Sequence, residues 1–132
     1  MSPEIVTLVD MNQVAHEAAG RFVALAHESI AARGRFAVAL SGGATPRALF
    51  WLLASAEYRD RIEWRRLLVF WSDERCVPRS HPDSNYGAAR ELLLSRVPVP
   101  PGSVHRLRGE IDPEQAALKY EQLIEREVAT PA

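Results

Sequence analysis

At 132 residues, with 47% hydrophobic and 25% charged residues, the chain has the size and composition of one globular domain able to bury a core. Its net charge of −1 removes the electrostatic case for nucleic acid or an anionic membrane as partner, so any phosphate recognition has to be local. The lone Cys76 excludes an internal disulfide and supplies no metal-binding cluster. With no leader-like start and no apolar run of membrane length, the expected compartment is the cytoplasm.

The alternation over Glu4–Val9 predicts a short strand. Asp10 or Asn12 then caps a long helix reaching about Arg33, with Val14, Ala18, Phe22, Leu25 and Ile30 as its inner stripe and Gly34 as its stop. Phe36–Leu40 reads as a buried strand that breaks off at Ser41-Gly42-Gly43. Thr45 is a good N-cap and Pro46 suits the first helical position, so the next helix is expected from Pro46 to about Ala54. The charged segment 57–66, with Trp64, reads as a connection. Leu67–Ser72 is a second apolar strand without polar alternation, as in parallel sheets covered on both faces.

Asp83-Ser84-Asn85 opens a further helix with Tyr86, Ala89 and Leu93 inward, and Pro98–Gly102 is a stiff loop. Val104–Leu107 is a candidate short strand. Asp112-Pro113-Glu114-Gln115 resembles a capping box, opening a helix that buries Ala116, Tyr120, Leu123 and Val128. Strands alternating with helices give an α/β fold, a mainly parallel Rossmann-like sheet with helices on both faces, in a single domain over residues 1–132. Ligands in such sheets bind beyond the carboxyl ends of the strands, and both chemically rich loops, 41–47 and 72–85, lie there. On adjacent strands they stand roughly 5–10 Å apart and share one crevice.

The glycine turn leaves helix N-terminal amides free, where the helix dipole favours an anion, and glycine lets a ligand approach the backbone. It is neither a Walker loop nor a G-x-G-x-x-G fingerprint, and Ser41 is not in a nucleophile elbow; a plain β-to-α turn is the competing reading. Arg47 either stands outward in solvent or pairs with a bound anion. In the second loop, Asp73 and Arg75 alternate along an extended segment. Arg75 can hold an oxyanion or phosphate while Asp73 positions a hydroxyl or water, unless the loop is a solvated one with a local ion pair. Asp83 and Ser84 read as helix caps, whereas Asn85 is placed either toward the crevice or away from it. Of the four histidines, only His81 lies near the crevice, and none has metal-ligand spacing.

Together, Ser41-Gly42-Gly43-Ala44-Thr45-Pro46 and Trp71-Ser72-Asp73-Glu74-Arg75-Cys76-Val77-Pro78, followed by His81 and Ser84-Asn85-Tyr86, resemble the 6-phosphogluconolactonase family. The resemblance covers essentially the whole chain. Asp-Glu-Arg with Val-Pro and Ser-Asn favours the lactonase branch over the related glucosamine-6-phosphate deaminases. It implies the sugar-phosphate isomerase/lactonase type of fold and hydrolysis of 6-phospho-D-glucono-1,5-lactone to 6-phosphogluconate in the pentose phosphate pathway. Ser41, Gly42, Gly43, Thr45 and Asn85 are then expected at the substrate, with Asp73 and Arg75 catalytic and no metal or cofactor.

Family members are roughly twice as long and carry a downstream Gly-x-Asp-Gly-His segment whose histidine is the expected general base. The chain is therefore expected to be an N-terminal portion that keeps the binding loops and lacks that base, with an uncovered sheet edge prone to self-association. A non-catalytic sugar-phosphate-binding fragment, and more remotely a deaminase, are the competing functions. No nucleic acid or membrane is expected as partner.

Overall fold

A computed structural model describes residues 3–128; the sequence features at Met1 and Ala132 lie outside them. The element order is α1 (Met11–Arg33), β1 (Phe36–Leu40), α2 (Ala44–Leu53), β2 (Leu67–Trp71), α3 (Asn85–Ala89) and α4 (Pro113–Glu127), with short 3-10 turns between. β1 and β2 pair in parallel with Phe36 opposite Leu67 and Leu40 opposite Trp71, and Val104 adds one parallel bridge to Val69 on the other side of β2. The βαβ unit read from the sequence is thus the centre of the molecule.

Local chemistry explains most element ends. The Asp10 carboxylate accepts the Gln13 N–H at 2.9 Å and starts α1; Gly34, at φ 78°, stops it in the left-handed region. Asp112 accepts the Gln115 N–H at 3.1 Å and Pro113 fills the first turn of α4, where its missing N–H has no partner to lose. The buried stripe of α1 differs from the expected one. Ala15, Ala19, Phe22, Ala26 and Ser29 face inward, while Leu25 is exposed. Small residues on this stripe let α1 lie close against the sheet, which a stripe chosen by side-chain size alone does not capture.

Side chains alternate across the sheet, so Phe36, Leu40, Leu67, Val69 and Trp71 share one face with Val38. That face is sealed by α1 and α2, with Phe22 edge-on to Phe36 and Phe50 and Leu53 fully buried. Trp64, placed by the sequence in a charged connection, joins this core; its indole N–H donates to the Arg59 carbonyl at 2.8 Å, which removes the cost of burying it.

The opposite face is covered differently. Phe70 packs against Tyr120 of α4, but Ala37 and Ala39 of β1 are exposed, so β1 is buried on one side only. Helices lie on both faces, but α4 reaches β2 alone.

Two expected strands are corrected. Residues 4–9 form no strand; Ile5 is 89% exposed, and the segment is tied to α1 through Arg21, which donates to Glu4 at 2.7 Å. Without a partner edge, an alternating pattern has nothing to pair with. Val104–Leu107 stops after one bridge because the Tyr120 hydroxyl enters the ladder. It accepts the Trp71 N–H at 2.7 Å and donates to the His105 carbonyl at 2.7 Å, standing in for the next direct rung. Of the residues expected to be inward on α4, Ala116 and Tyr120 are buried, whereas Leu123 and Val128 are half-buried. Burial pushes the Tyr120 phenol up to about 12.

Candidate functional site: a glycine turn joined to the Asp73–Asn85 loop

The turn after β1 is built by two glycines with different tasks. Gly43 stands at φ 108° and ψ 179°, a conformation that L side chains rarely adopt, and is the N-cap of α2. Helix α2 therefore starts at Ala44, so Thr45 and Pro46 are its second and third residues instead of cap and first residue. Proline is tolerated throughout the first turn because the amides there have no intrahelical acceptor, so its presence does not fix the helix register. The consequence is chemical. α1, α3 and α4 each begin with a side-chain oxygen accepting an amide N–H, but no side chain caps α2 among the described residues. Its first-turn amides are left for solvent or an anion.

Gly42 serves contact between the loops. A Cβ there would lie 1.9 Å from Asn85 Oδ1, so the amide of Asn85 fills the space a side chain would need. Asn85 is 4% exposed, and its Nδ2 lies 3.2 Å from the Asp73 carbonyl and 3.3 Å from Asp73 Oδ1. Next to it, the Ser41 and Ser72 hydroxyls are 2.7 Å apart, with Ser72 Oγ also 3.2 Å from the Leu40 carbonyl. The Ser72 N–H extends the ladder to Leu40 at 2.8 Å. Ser41, Gly42, Asp73 and Asn85 are thus drawn into one cluster at the carboxyl ends of β1 and β2.

The second loop is held by a residue the sequence reading passed over. Glu74 Oε1 accepts the Arg75 N–H at 2.8 Å and the Asn85 N–H at 2.6 Å; Oε2 accepts the Ser84 hydroxyl at 3.0 Å and the Tyr86 N–H at 3.0 Å. Ser84 in turn accepts the Gly87 N–H at 3.1 Å, confirming it as the cap of α3. A carboxylate at a helix start is favoured by the dipole as well as by these bonds. Glu74 fixes where Asn85 stands. Gly109 supports the loop from behind, since a Cβ there would lie 2.1 Å from the Arg75 carbonyl and 2.5 Å from that of Val77. Neither role has a local signature, because the α3 partners of Glu74 lie 10 to 12 residues away and those of Gly109 more than 30.

Arg75 and Thr45 are not drawn into the cluster by hydrogen bonds. Thr45 is exposed on the first turn of α2, and Arg75 lines an apolar cavity of about 440 Å³ under α4, beside Cys76, Gly109 and Tyr120. His81 accepts the Asp83 N–H on Nδ1 at 3.0 Å and lines a separate polar cavity. The other histidines are engaged elsewhere: His16 on Tyr58, His27 on the Arg61 carbonyl, and His105 stacked on Phe70.

Comparison with known proteins shows the family. A family model described as glucosamine-6-phosphate isomerases/6-phosphogluconolactonase matches residues 9–132. A 6-phosphogluconolactonase of Haemophilus influenzae is 41% identical over 64% of the chain and 37% of its own length. A probable chloroplastic 6-phosphogluconolactonase of Oryza sativa is 39% identical over 90% of the chain and 36% of its own length. The solved 6-phosphogluconolactonase of Trypanosoma cruzi superposes with a TM-score of 0.83 at 28% identity, covering 99% of the chain and 53% of that structure. The chain therefore spans about a third to a half of the length of these relatives. A glycine turn and an Asp-Glu-Arg loop meeting at Asn85, within a fold and a sequence shared along this whole length, make the chain a member of the glucosamine-6-phosphate isomerase/6-phosphogluconolactonase family.

Proposed function

We propose that the chain carries the substrate-gripping part of a 6-phosphogluconolactonase, an enzyme opening 6-phospho-D-glucono-1,5-lactone to 6-phosphogluconate. The observation that supports it most is the contact between Gly42 and Asn85, which brings the turn before an uncapped helix start against the polar loop. In this reading the amides of Ala44 and Thr45, with the turn at Gly42-Gly43, receive the anionic end of a sugar phosphate. Ser41 and Asn85 orient its hydroxyl groups. Asp73, held by Asn85, positions the attacking water, and Arg75, two residues along the same loop, steadies the oxyanion that forms as water adds to the carbonyl once its guanidinium turns out of the cavity under α4.

A lactone is an activated ester, so a placed water, a base and a cation suffice. Among the described residues no histidine hydrogen-bonds to the Ser41–Asp73–Asn85 cluster, and the chain alone is expected to bind far better than it turns over. Cytoplasmic location is part of the same proposal; no helix among the described residues is long and apolar enough to cross a membrane.

Calorimetry with 6-phosphogluconate and a lactone-opening assay test the reading together. It predicts saturable binding that Asn85→Ala weakens at least tenfold, with lactone opening close to the spontaneous rate. Absence of binding at millimolar ligand contradicts it. So does rapid opening that disappears in His81→Ala, because the base would then sit outside the proposed crevice.

A further inference from the structure

Beside the glycine turn, but sharing none of Ser41, Gly42, Gly43, Thr45, Asp73 or Asn85, lies a polar cavity of about 910 Å³. Its lining includes Arg47 of α2, Arg79 and His81 of the second loop, and Arg90, Glu91 and Arg96 of the segment after α3. Four arginines and a single glutamate thus stand on its walls, in a chain whose net charge is −1. None of the four makes a salt bridge among the described residues. Like charges gathered without counter-charges repel, and nothing in local helix chemistry requires them there.

The backbone that presents them is itself unusual. After α3 the chain continues through a widened π turn over Arg90–Leu94, closed by the Ser95 N–H donating to the Arg90 carbonyl at 2.9 Å. Such turns are rare and concentrate at functional sites. The turn carries Arg90 and Glu91 and leads directly to Arg96, whose Nε donates to the Glu91 carbonyl at 3.3 Å. On the facing wall, Gly87 lets the 79–82 loop approach closely, since a Cβ there would lie 3.0 Å from the Arg79 carbonyl. Two separate backbone features therefore hold the cationic walls together.

We infer that this cavity binds a small molecule bearing a diphosphate group, gripped by Arg47, Arg79, Arg90 and Arg96. A single phosphate brings about two negative charges and three free oxygens, fewer than four guanidinium forks can engage. Two linked phosphates match the number of donors better, and the volume falls in the range of small-molecule sites. This site is separate from the sugar-phosphate crevice and does not depend on the reading given for it.

Titration calorimetry of the chain with inorganic pyrophosphate, and separately with inorganic phosphate, tests the inference. One pyrophosphate per chain is expected, bound at least tenfold tighter than phosphate and with little change when 6-phosphogluconate is present at saturation. The double variant Arg79→Gln/Arg90→Gln is expected to lose at least tenfold in pyrophosphate affinity, and each single variant about threefold should the double variant fail to fold. Arg65→Gln and Arg126→Gln, exposed positions away from the cavity, should leave it within twofold. Equal affinity for the two anions overturns the inference, as does equal loss in the control variants. Competition by 6-phosphogluconate also overturns it, since the cavity would then belong to the substrate crevice.

Discussion

The two faces of the parallel sheet are finished to different degrees. On the face of Phe36, Leu40, Leu67, Val69 and Trp71, helices α1 and α2 and the segment after α3 close a continuous core. On the other, α4 covers β2 while Ala37 and Ala39 stay exposed, and an apolar cavity of about 440 Å³ remains between α4 and the 75–77 loop. The proposed sugar-phosphate site is built from residues that directly follow β1 and β2. A binding site needs a rigid scaffold beneath it more than it needs every surface covered, which is why the loops hold their geometry in a chain spanning about half of its solved relatives.

Substitutions on the two faces should differ in cost. Phe50→Ala, in the centre of the closed core, is expected to cost about 3–5 kcal/mol in urea unfolding, enough to unfold a marginal domain. Gly42→Ala forces the buried Asn85 amide aside and is expected to cost about 2–3 kcal/mol, with loss of 6-phosphogluconate binding; unchanged binding would mean that the Gly42–Asn85 contact is not what forms the crevice. Glu74→Ala leaves the amides of Asn85 and Tyr86 and the Ser84 hydroxyl short of an acceptor. About 2 kcal/mol is expected, together with weaker binding as Asn85 loses its seat.

Effects on the open face are smaller. Tyr120→Phe removes the hydroxyl that bridges Trp71 and His105 and is expected to cost about 1–2 kcal/mol at neutral pH. The folded protein keeps the Tyr120 proton up to about 12, whereas the unfolded chain releases it near 10. Its contribution is therefore complete below pH 10 and lost as pH rises through 12, and the variant should show a flatter alkaline limb in thermal melts. Ala39→Ser, on the exposed side of β1, should change stability by less than about 0.5 kcal/mol. A large loss there would mean that something covers this face in solution, and self-association measured by sedimentation would identify a second copy as the cover.

Much of this was legible in the residues. The apolar runs at 36–40 and 67–71, the caps at Asp10, Gly34 and Asp112, and the glycine turn each carry a local signal, and the crossover rule then sets two loops side by side. What escaped depends on distance in the chain. Glu74 caps a helix 10 residues away, Gly109 receives a loop more than 30 residues before it, and Tyr120 replaces a sheet rung 49 residues from Trp71. No periodicity reports such pairings. The start of α2 is ambiguous in the sequence for a different reason: Thr45 and Pro46 fit several positions of a first turn, and it is the backbone at Gly43 that chooses among them.

The most direct test is an NMR titration of the isotope-labelled chain with 6-phosphogluconate, following backbone amides. The account predicts that Gly42, Gly43 and Thr45 shift together with Asp73 and Asn85, along one binding curve with one affinity. Shifts confined to a single loop, or two curves with different affinities, would contradict it.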